Sequence, residues 1–160
     1  MVCCGGDGTF NETLAGILES GLNTPIGYIP AGSTNDFASS LKLSSDILEA
    51  TQDIILGTPV AYDAGKFGQR YFSYVASFGA FTRTSYATPQ EIKNALGHLA
   101  YILEGVKSLG KILPIHVKIT ADDEQFEEDY LFGAVTNTIS LGGVLKLDPE
   151  KVLLDDGMYE

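Results

Sequence analysis

The sequence predicts a mixed α/β chain, in which an α/β part is followed by a mainly antiparallel β part with one long helix. Residues 1–30 contain a short apolar segment, a glycine-rich loop, a helical pattern and a second apolar segment, which together predict a βαβ unit. After Pro59 the apolar residues alternate, as is typical of strands. Residues 88–106, which lie between two alternating stretches, have the spacing of an amphipathic helix. We therefore predict a boundary near residues 57–60.

The first strand of the α/β part is predicted at residues 1–4, directly before the loop GGDGTFNE. Thr9 and Glu12 have the spacing of a capping box, an apolar stripe follows them, and Gly21 is well placed to end the helix. The second strand is predicted at residues 25–30.

A second loop, AGSTNDFASSL, follows the second strand, with Asp36 at the start of the next helix. An amphipathic helix is then predicted over residues 47–55, ended by Gly57 and Pro59. In the β part, one hairpin is expected around Gly65 and Gly68. PIHVKIT and EEDYLFGAVT predict another around the acidic turn ADDEQ, and DDGMYE predicts a last strand. Because two parallel strands are few for an open sheet, we expect the chain to be a fragment of a longer protein.

Composition excludes several classes of function. The formal net charge is −11, and Arg70 and Arg83 are the only arginines, so electrostatic binding to nucleic acid is not expected. Cys3 and Cys4 are adjacent in an apolar segment, which favours reduced thiols over a disulfide or a metal site. No apolar run approaches the ~20 residues of a membrane span. These features indicate a cytoplasmic protein.

The first glycine loop predicts an anion site. Gly5, Gly6 and Gly8 allow a ligand to approach the main chain, and the following helix presents free N–H groups and the positive end of its dipole. Phosphate is the leading candidate, although Gly-Asp-Gly is equally a common turn sequence. A Walker A loop is absent, and Asn11 replaces the third glycine of a dinucleotide-binding motif. Dinucleotide oxidoreduction is therefore disfavoured.

Three acids follow the loops or the boundary, namely Asp7, Asp36 and Asp63. Each by itself is explained as a turn or hairpin residue. Together they would suit a hydrated Mg²⁺ that bridges to substrate phosphates, since magnesium prefers a few hard oxygen ligands. We favour the magnesium interpretation.

GGDGTFNE, PAGSTNDFA and DAG, in this order and spacing, resemble the catalytic region of the diacylglycerol kinase and sphingosine kinase superfamily, in its bacterial soluble branch. The first motif alone also resembles NAD kinases, whereas the pair of loops is more specific. GHLAYILEG and LLDDGMYE look like the same family, so the resemblance covers nearly the whole chain. One departure is Ser33, which stands where the family usually has threonine.

The resemblance implies a fold and a site. The fold would be part of a three-layer α/β/α nucleotide-binding domain at residues 1–58, followed at residues 59–160 by part of a mainly antiparallel β-sandwich domain with one long helix. ATP and Mg²⁺ are the implied cofactors, with Asp7, Asp36 and Asp63 organising magnesium and water. Leu153, Asp156 and Met158 match the family's L-x-x-D-x-M pattern for a structural metal. The implied nucleotide-binding residues are Gly5, Gly6, Gly8, Thr9, Asn11, Glu12, Gly32, Ser33 and Asn35.

The implied function is transfer of the γ-phosphoryl group of Mg-ATP to a lipid hydroxyl, on diacylglycerol or a related lipid at the membrane surface. The family's proposed base lies in a later Asp-Gly-Glu motif, which this sequence lacks, so the chain alone is expected to be inactive. The implied location is cytoplasmic with peripheral membrane contact, and a homodimer is compatible with it. Two alternatives stay open: a soluble-substrate kinase of the NAD kinase type, and a nucleotide-binding module without turnover.

Overall fold

The computed structural model describes residues 1–79, 113–141, 145, 146, 148 and 152–160. The chain divides into two compact units. The first contains Met1–Ala76 and Val135–Glu160, and the second contains Ser77–Ala134. The long helix predicted over residues 88–106 lies outside the described residues.

The first unit begins with the predicted βαβ arrangement. Strand β1 (Val2–Gly5) leads into helix α1 (Asp7–Ser20), and strand β2 (Gly27–Pro30) returns parallel to β1. The register places Cys3 opposite Tyr28. Helix α1 ends at the predicted glycine, because Gly21 takes a left-handed conformation with φ of 69°. This part of the fold prediction is confirmed.

The predicted start of α1 is wrong. The helix begins at Asp7, its N-cap is Gly6, and no side chain caps it, so Thr9 and Glu12 do not form a capping box at its N-terminus. Gly6 is in an extended conformation, and as a glycine it has no side chain that could cap the helix. Thr9 instead lies against the end of β1, where a Cβ built on Gly5 would be 2.7 Å from the Thr9 Cβ.

Two further helices follow β2, as predicted: α2 (Asp36–Ser40) and α3 (Ile47–Leu56). Asp46 caps α3 by accepting hydrogen bonds from the N–H groups of Leu48 and Glu49 at 2.9 and 3.0 Å. The apolar core of this region is aromatic, with the ring of Phe10 4.2 Å from that of Phe37 and 4.7 Å from that of Tyr28. The buried members of this core are Cys3, Phe10, Tyr28, Phe37 and Ala38.

The remaining strands form two-stranded pairs. The first predicted hairpin is formed by β3 (Gly65–Phe67) and β4 (Arg70–Phe72), and the second by β6 (Ile115–Ala121) and β7 (Glu124–Tyr130). Both hairpin predictions are confirmed. The other strands are β5 (Val75–Gly79), β8 (Phe132–Thr136), β9 (Ser140–Leu141) and β10 (Leu145–Lys146). The pairs of β3 with β4, β6 with β7 and β9 with β10 are antiparallel.

The last predicted strand, over DDGMYE, is wrong. Residues 154–157 form turns and bends, with Gly157 at φ of 77°, and residues 158–160 are irregular. The consecutive acids and glycine favour a turn over an extended segment. Glu160 nevertheless exchanges two backbone hydrogen bonds with Thr136, at 2.8 and 2.9 Å, which fix this segment to the end of β8. None of the helices described here is long and apolar enough to cross a membrane.

Candidate functional site

The two glycine loops follow the carboxyl ends of β1 and β2 and touch through their main chains. Because the two strands are parallel, both loops emerge at the same end of the sheet. A Cβ built on Gly32 would lie 2.5 Å from the Cα of Gly6, and the N–H of Ala31 donates to the carbonyl of Gly5 at 2.8 Å. The contact therefore requires glycine at position 32, whatever ligand the loops bind.

The side chain of Asn35 stabilises the second loop by bonding to the main chain of Gly32. Its amide donates to the carbonyl of Gly32 and accepts from the N–H of Gly32, both at 2.9 Å. It sits in the left-handed region with φ of 54°, which asparagine tolerates better than most residues. Ser33 stays exposed at the tip. In the first loop, Gly8, Thr9 and Glu12 are exposed as well, so a ligand can reach these predicted contacts.

Asp7 caps a helix to which it does not belong. Its Oδ2 accepts from the N–H of Asp36 at 3.1 Å, and its Oδ1 accepts from the N–H of Phe37 at 3.0 Å. These N–H groups open α2 and have no partner within that helix. Burial raises the pKa of the Asp7 carboxyl above its usual value, while the two N–H donors act to lower it. The first loop thus fixes the position of the second.

The other two predicted acids have different surroundings. Asp36 is buried in the first turn of α2, and its carbonyl accepts from the hydroxyl of Ser40 at 3.0 Å. Asp63 is tied to the turn near the end of the chain, because its Oδ2 accepts from the N–H of Gly157 at 2.5 Å. Among the residues that the structure describes, no group of three or more His, Cys, Asp or Glu is placed to hold a metal ion. Magnesium binding by the three acids stays a prediction.

Asn11 reaches a distant part of the chain. Its Nδ2 donates to the carbonyl of Tyr71 at 3.3 Å, and its Oδ1 accepts from the N–H of Ser73 at 2.8 Å. Helix α1 is therefore joined to the end of β4 and to the residue that follows it. The sequence prediction that Asn11 contacts a nucleotide did not foresee these partners.

Asn137 is an important residue that the sequence prediction missed. Its side chain is fully buried, and its Nδ2 donates to the carbonyls of Leu154 at 3.1 Å and Asp63 at 3.5 Å. The main-chain carbonyl of Asn137 accepts a hydrogen bond from the hydroxyl of Tyr62 at 2.5 Å. Asn137 therefore connects the segment that carries Asp63 with the last turn of the chain. The only signal for it in the sequence is the polar triplet TNT after an apolar strand.

The same region buries hydroxyl groups. Ser73 and Thr138 are fully buried, and the hydroxyl of Thr138 lies 2.5 Å from that of Ser40 in α2. Thr138 thus links α2 to the residues after β8. Together with Asn137, these side chains form a buried polar cluster, defined by Ser40, Ser73, Asn137 and Thr138.

The predicted structural metal site lies in the last turn. The Oδ1 of Asp156 accepts from the N–H of Met158 at 2.9 Å, an arrangement that closes a local turn. The side chains of Leu153 and Met158 are exposed. Metal binding by Leu153, Asp156 and Met158 stays a prediction.

The chain is similar to proteins of one family. Residues 1–67 match the family model of the diacylglycerol kinase catalytic domain. The chain is 38% identical to a diacylglycerol kinase of Staphylococcus saprophyticus over 159 residues, covering 99% of this chain and 52% of the relative. It is 37% identical to a diacylglycerol kinase of Bacillus subtilis over 161 residues, covering all of this chain and 53% of the relative.

A crystal structure of a diacylglycerol kinase from Bacillus anthracis strain Sterne gives a TM-score of 0.74 at 28% identity. The match covers 99% of this chain and 51% of that structure. The predicted fold class, part of an α/β domain followed by part of a mainly antiparallel β domain, is confirmed by this likeness. The chain spans about half the length of the curated relatives it matches. The family model, the relatives and the solved structure agree, and they confirm the predicted resemblance of this chain to the diacylglycerol kinase superfamily.

Proposed function

We propose that these residues serve an ATP-dependent lipid kinase, which transfers the γ-phosphoryl group of Mg-ATP to a hydroxyl of diacylglycerol or a related lipid. The relatives named above are diacylglycerol kinases, and this chain spans about half of their length. The activity is therefore proposed for the whole protein. Its acceptor would lie at a membrane surface that the protein contacts peripherally from the cytoplasm.

The observation that supports the proposal most is the contact between the two glycine loops. It places exposed residues of both loops beside the N-terminus of α1, a helix of 14 residues, where main-chain N–H groups and the helix dipole favour phosphate. Phosphoryl transfer needs little covalent chemistry from the protein and depends on positioning and charge neutralisation. A rigid pair of loops supplies positioning, and the bond from Asp7 to α2 keeps the pair in register.

In this proposal magnesium arrives with the substrate as Mg-ATP. Two of the three predicted acids already have main-chain partners, because both oxygens of Asp7 accept N–H groups of α2 and one oxygen of Asp63 accepts that of Gly157. An ion that arrives with ATP would neutralise phosphate charge when bound. The task we assign to Asp7 itself is to hold α2 and the second loop in place.

The test compares two proteins. One is the 160-residue chain, and the other is a chimeric kinase in which these residues replace the matching half of the Staphylococcus saprophyticus relative. Each is incubated with radiolabelled ATP and Mg²⁺ together with diacylglycerol, a sphingoid base, phosphatidylglycerol or NAD. We expect the chimeric kinase to phosphorylate a lipid in an Asp7-dependent way. Transfer to NAD would favour a soluble-substrate kinase, and nucleotide binding without transfer would favour a module without turnover.

We expect the 160-residue chain alone to bind nucleotide weakly and to transfer no phosphoryl group. In-line transfer needs a base or positioning group close to the acceptor hydroxyl, and the family's Asp-Gly-Glu motif is absent from this sequence. Asp-Asp-Gly at residues 155–157 is the nearest substitute, but it forms the last turn. Asp7-dependent lipid phosphorylation by the purified chain would contradict this expectation.

A further inference from the structure

Asn11 is the loop residue whose surroundings differ most from the prediction. It lies in α1, four residues after Asp7, and it was expected to contact the nucleotide. Both ends of its amide instead bond to distant main-chain groups. Tyr71 is 60 positions further along the chain, and Ser73 is 62 positions further. An amide has one carbonyl and one NH₂ group, and here each of them has a protein partner.

The partners of Asn11 belong to the segment that follows Asp63. Hairpin β3–β4 begins at Gly65, two residues after Asp63, and Tyr71 lies in β4. Ser73 is the next residue after β4 and is fully buried. The carbonyl of the following residue, Tyr74, accepts from the N–H of Asn137, which in turn bonds to the carbonyl of Asp63 through its side chain. Hydrogen bonds, joined by the main chain between Ser73 and Tyr74, therefore connect the first glycine loop with Asp63.

Asparagine suits this position because the two main-chain groups have opposite requirements. The carbonyl of Tyr71 needs a donor, and the N–H of Ser73 needs an acceptor. Aspartate would keep the acceptor and lose the donor, and alanine would lose both. Phosphate binding would require only a donor, so it does not explain why the side chain at this position both donates and accepts.

We propose that Asn11 is a positioning residue, which holds the segment from Tyr71 to Ser73 against the first glycine loop and does not bind the nucleotide. The inference rests on the proposed function, because phosphoryl transfer is what gives the distance between the loop and the Asp63 segment a catalytic consequence. It assigns Asn11 a task within that site that differs from the family-based prediction.

The first test uses the 160-residue chain as it is. Hydrogen exchange at the Ser73 N–H should be faster in Asn11→Ala than in wild type, because the acceptor has gone. In Asn11→Asp the ionised side chain would face the Tyr71 carbonyl, so this variant should be destabilised at neutral pH. Protonation restores a donor, and its unfolding midpoint in urea should therefore approach that of wild type as the pH falls. Asn23→Asp, at an exposed amide in the loop after α1, is the matched control and should show no such recovery.

The second test separates positioning from binding. Asn11→Ala should keep a dissociation constant for ADP and Mg²⁺ within about threefold of wild type in the chain. In the chimeric kinase it should lower kcat by on the order of 10- to 100-fold with little change in the KM for ATP. Asn23→Ala should leave both values unchanged.

Three results would overturn the inference: unchanged exchange at Ser73 in Asn11→Ala, a loss of nucleotide affinity of tenfold or more, or faster exchange with unaltered kcat. The last result would make Asn11 a purely structural residue. Absence of transfer in the wild-type chimeric kinase would instead count against the proposed function. The exchange and affinity measurements would then still decide whether Asn11 holds the segment or binds the nucleotide.

Discussion

At the scale of single residues, two polar side chains of the glycine loops, those of Asp7 and Asn35, are engaged by the protein itself. Asp7 accepts two main-chain N–H groups of α2, and Asn35 closes a ring with Gly32. Their chemistry could be expected from sequence, because Asp and Asn are the residues that satisfy unpaired main-chain groups. Their partners could not, since Asp7 and Phe37 are separated by 30 positions and meet only when β1 and β2 pair.

We predict that Asp7→Asn affects transfer much more than stability. Removing the charge relieves the cost of burying it but disturbs one of the two bonds to α2, so the free energy of unfolding should change by less than about 1 kcal/mol. In the chimeric kinase kcat should fall on the order of 100-fold, because α2 and the second loop lose their fixed position. Melting curves and initial rates measure the two effects, with the exposed Asp53→Asn as a matched control. Near wild-type turnover would contradict the role of Asp7.

The same substitution should reveal a pH dependence. Burial raises the pKa of Asp7 in the folded state above its unfolded value of 3.8, so the ionised carboxylate costs folding free energy at neutral pH. That cost declines as the pH falls through the folded-state pKa and is absent below the unfolded value of 3.8. The wild-type chain should therefore gain stability relative to Asp7→Asn on acidification, measured as the difference between their urea midpoints. A difference that stays constant with pH would show that burial is not the dominant influence.

At the scale of elements, the sequence predicted most of the helices and hairpins in the described ranges. The apolar spacing and Gly21 were sufficient for α1, and alternation around a turn was sufficient for the hairpins. The errors lie where two local signals compete. Thr9 and Glu12 fit a capping box, yet α1 begins earlier, at Asp7, with Gly6 as its N-cap. DDGMYE has apolar residues beside a turn sequence, and the turn prevails.

Gly32→Ala should destabilise the chain by about 1–3 kcal/mol, because the added methyl group would meet the Cα of Gly6 and the Oδ1 of Asn35. Gly16→Ala is the matched control. It lies inside α1 with open space around a built Cβ, so it should stabilise the chain by about 0.5–1 kcal/mol. Urea unfolding measures both. Equal effects of the two substitutions would mean that the loops do not touch as described.

Asp156→Ala tests the predicted structural metal. If the turn binds a cation with the carbonyls of Leu153 and Met158, the substitution should lower the melting temperature and abolish its dependence on added Mg²⁺ or Ca²⁺. If no cation binds, the substitution removes only the hydrogen bond between Asp156 and the N–H of Met158. The melting temperature would then fall, but neither ion would change it in wild type or in the variant. A metal-dependent shift that survives in Asp156→Ala would exclude Asp156 as a ligand.

At the scale of the whole molecule, sequence order and spatial grouping differ. Residues 135–160 join the first compact unit, although 58 residues of the second unit separate them from Ala76 in the sequence. A boundary between residues 1–58 and 59–160 stays a prediction about domains. The buried polar cluster depends on this return of the chain, since Ser40 and Ser73 precede the second unit and Asn137 and Thr138 follow it. The apolar periodicity of the sequence does not predict that these four residues lie in the same compact unit.

This cluster has a consequence for the heat capacity of unfolding. Ser73, Asn137 and Thr138, the most completely buried side chains in the part of the chain described here, are all polar. Hydration of exposed apolar surface raises the heat capacity, whereas hydration of exposed polar surface lowers it. Exposure of these polar groups on unfolding should therefore bring the increase in heat capacity slightly below the usual ~12–15 cal/mol/K per residue. Scanning calorimetry over a range of pH gives this quantity as the slope of unfolding enthalpy against Tm, and a slope at or above the usual value would contradict the expectation.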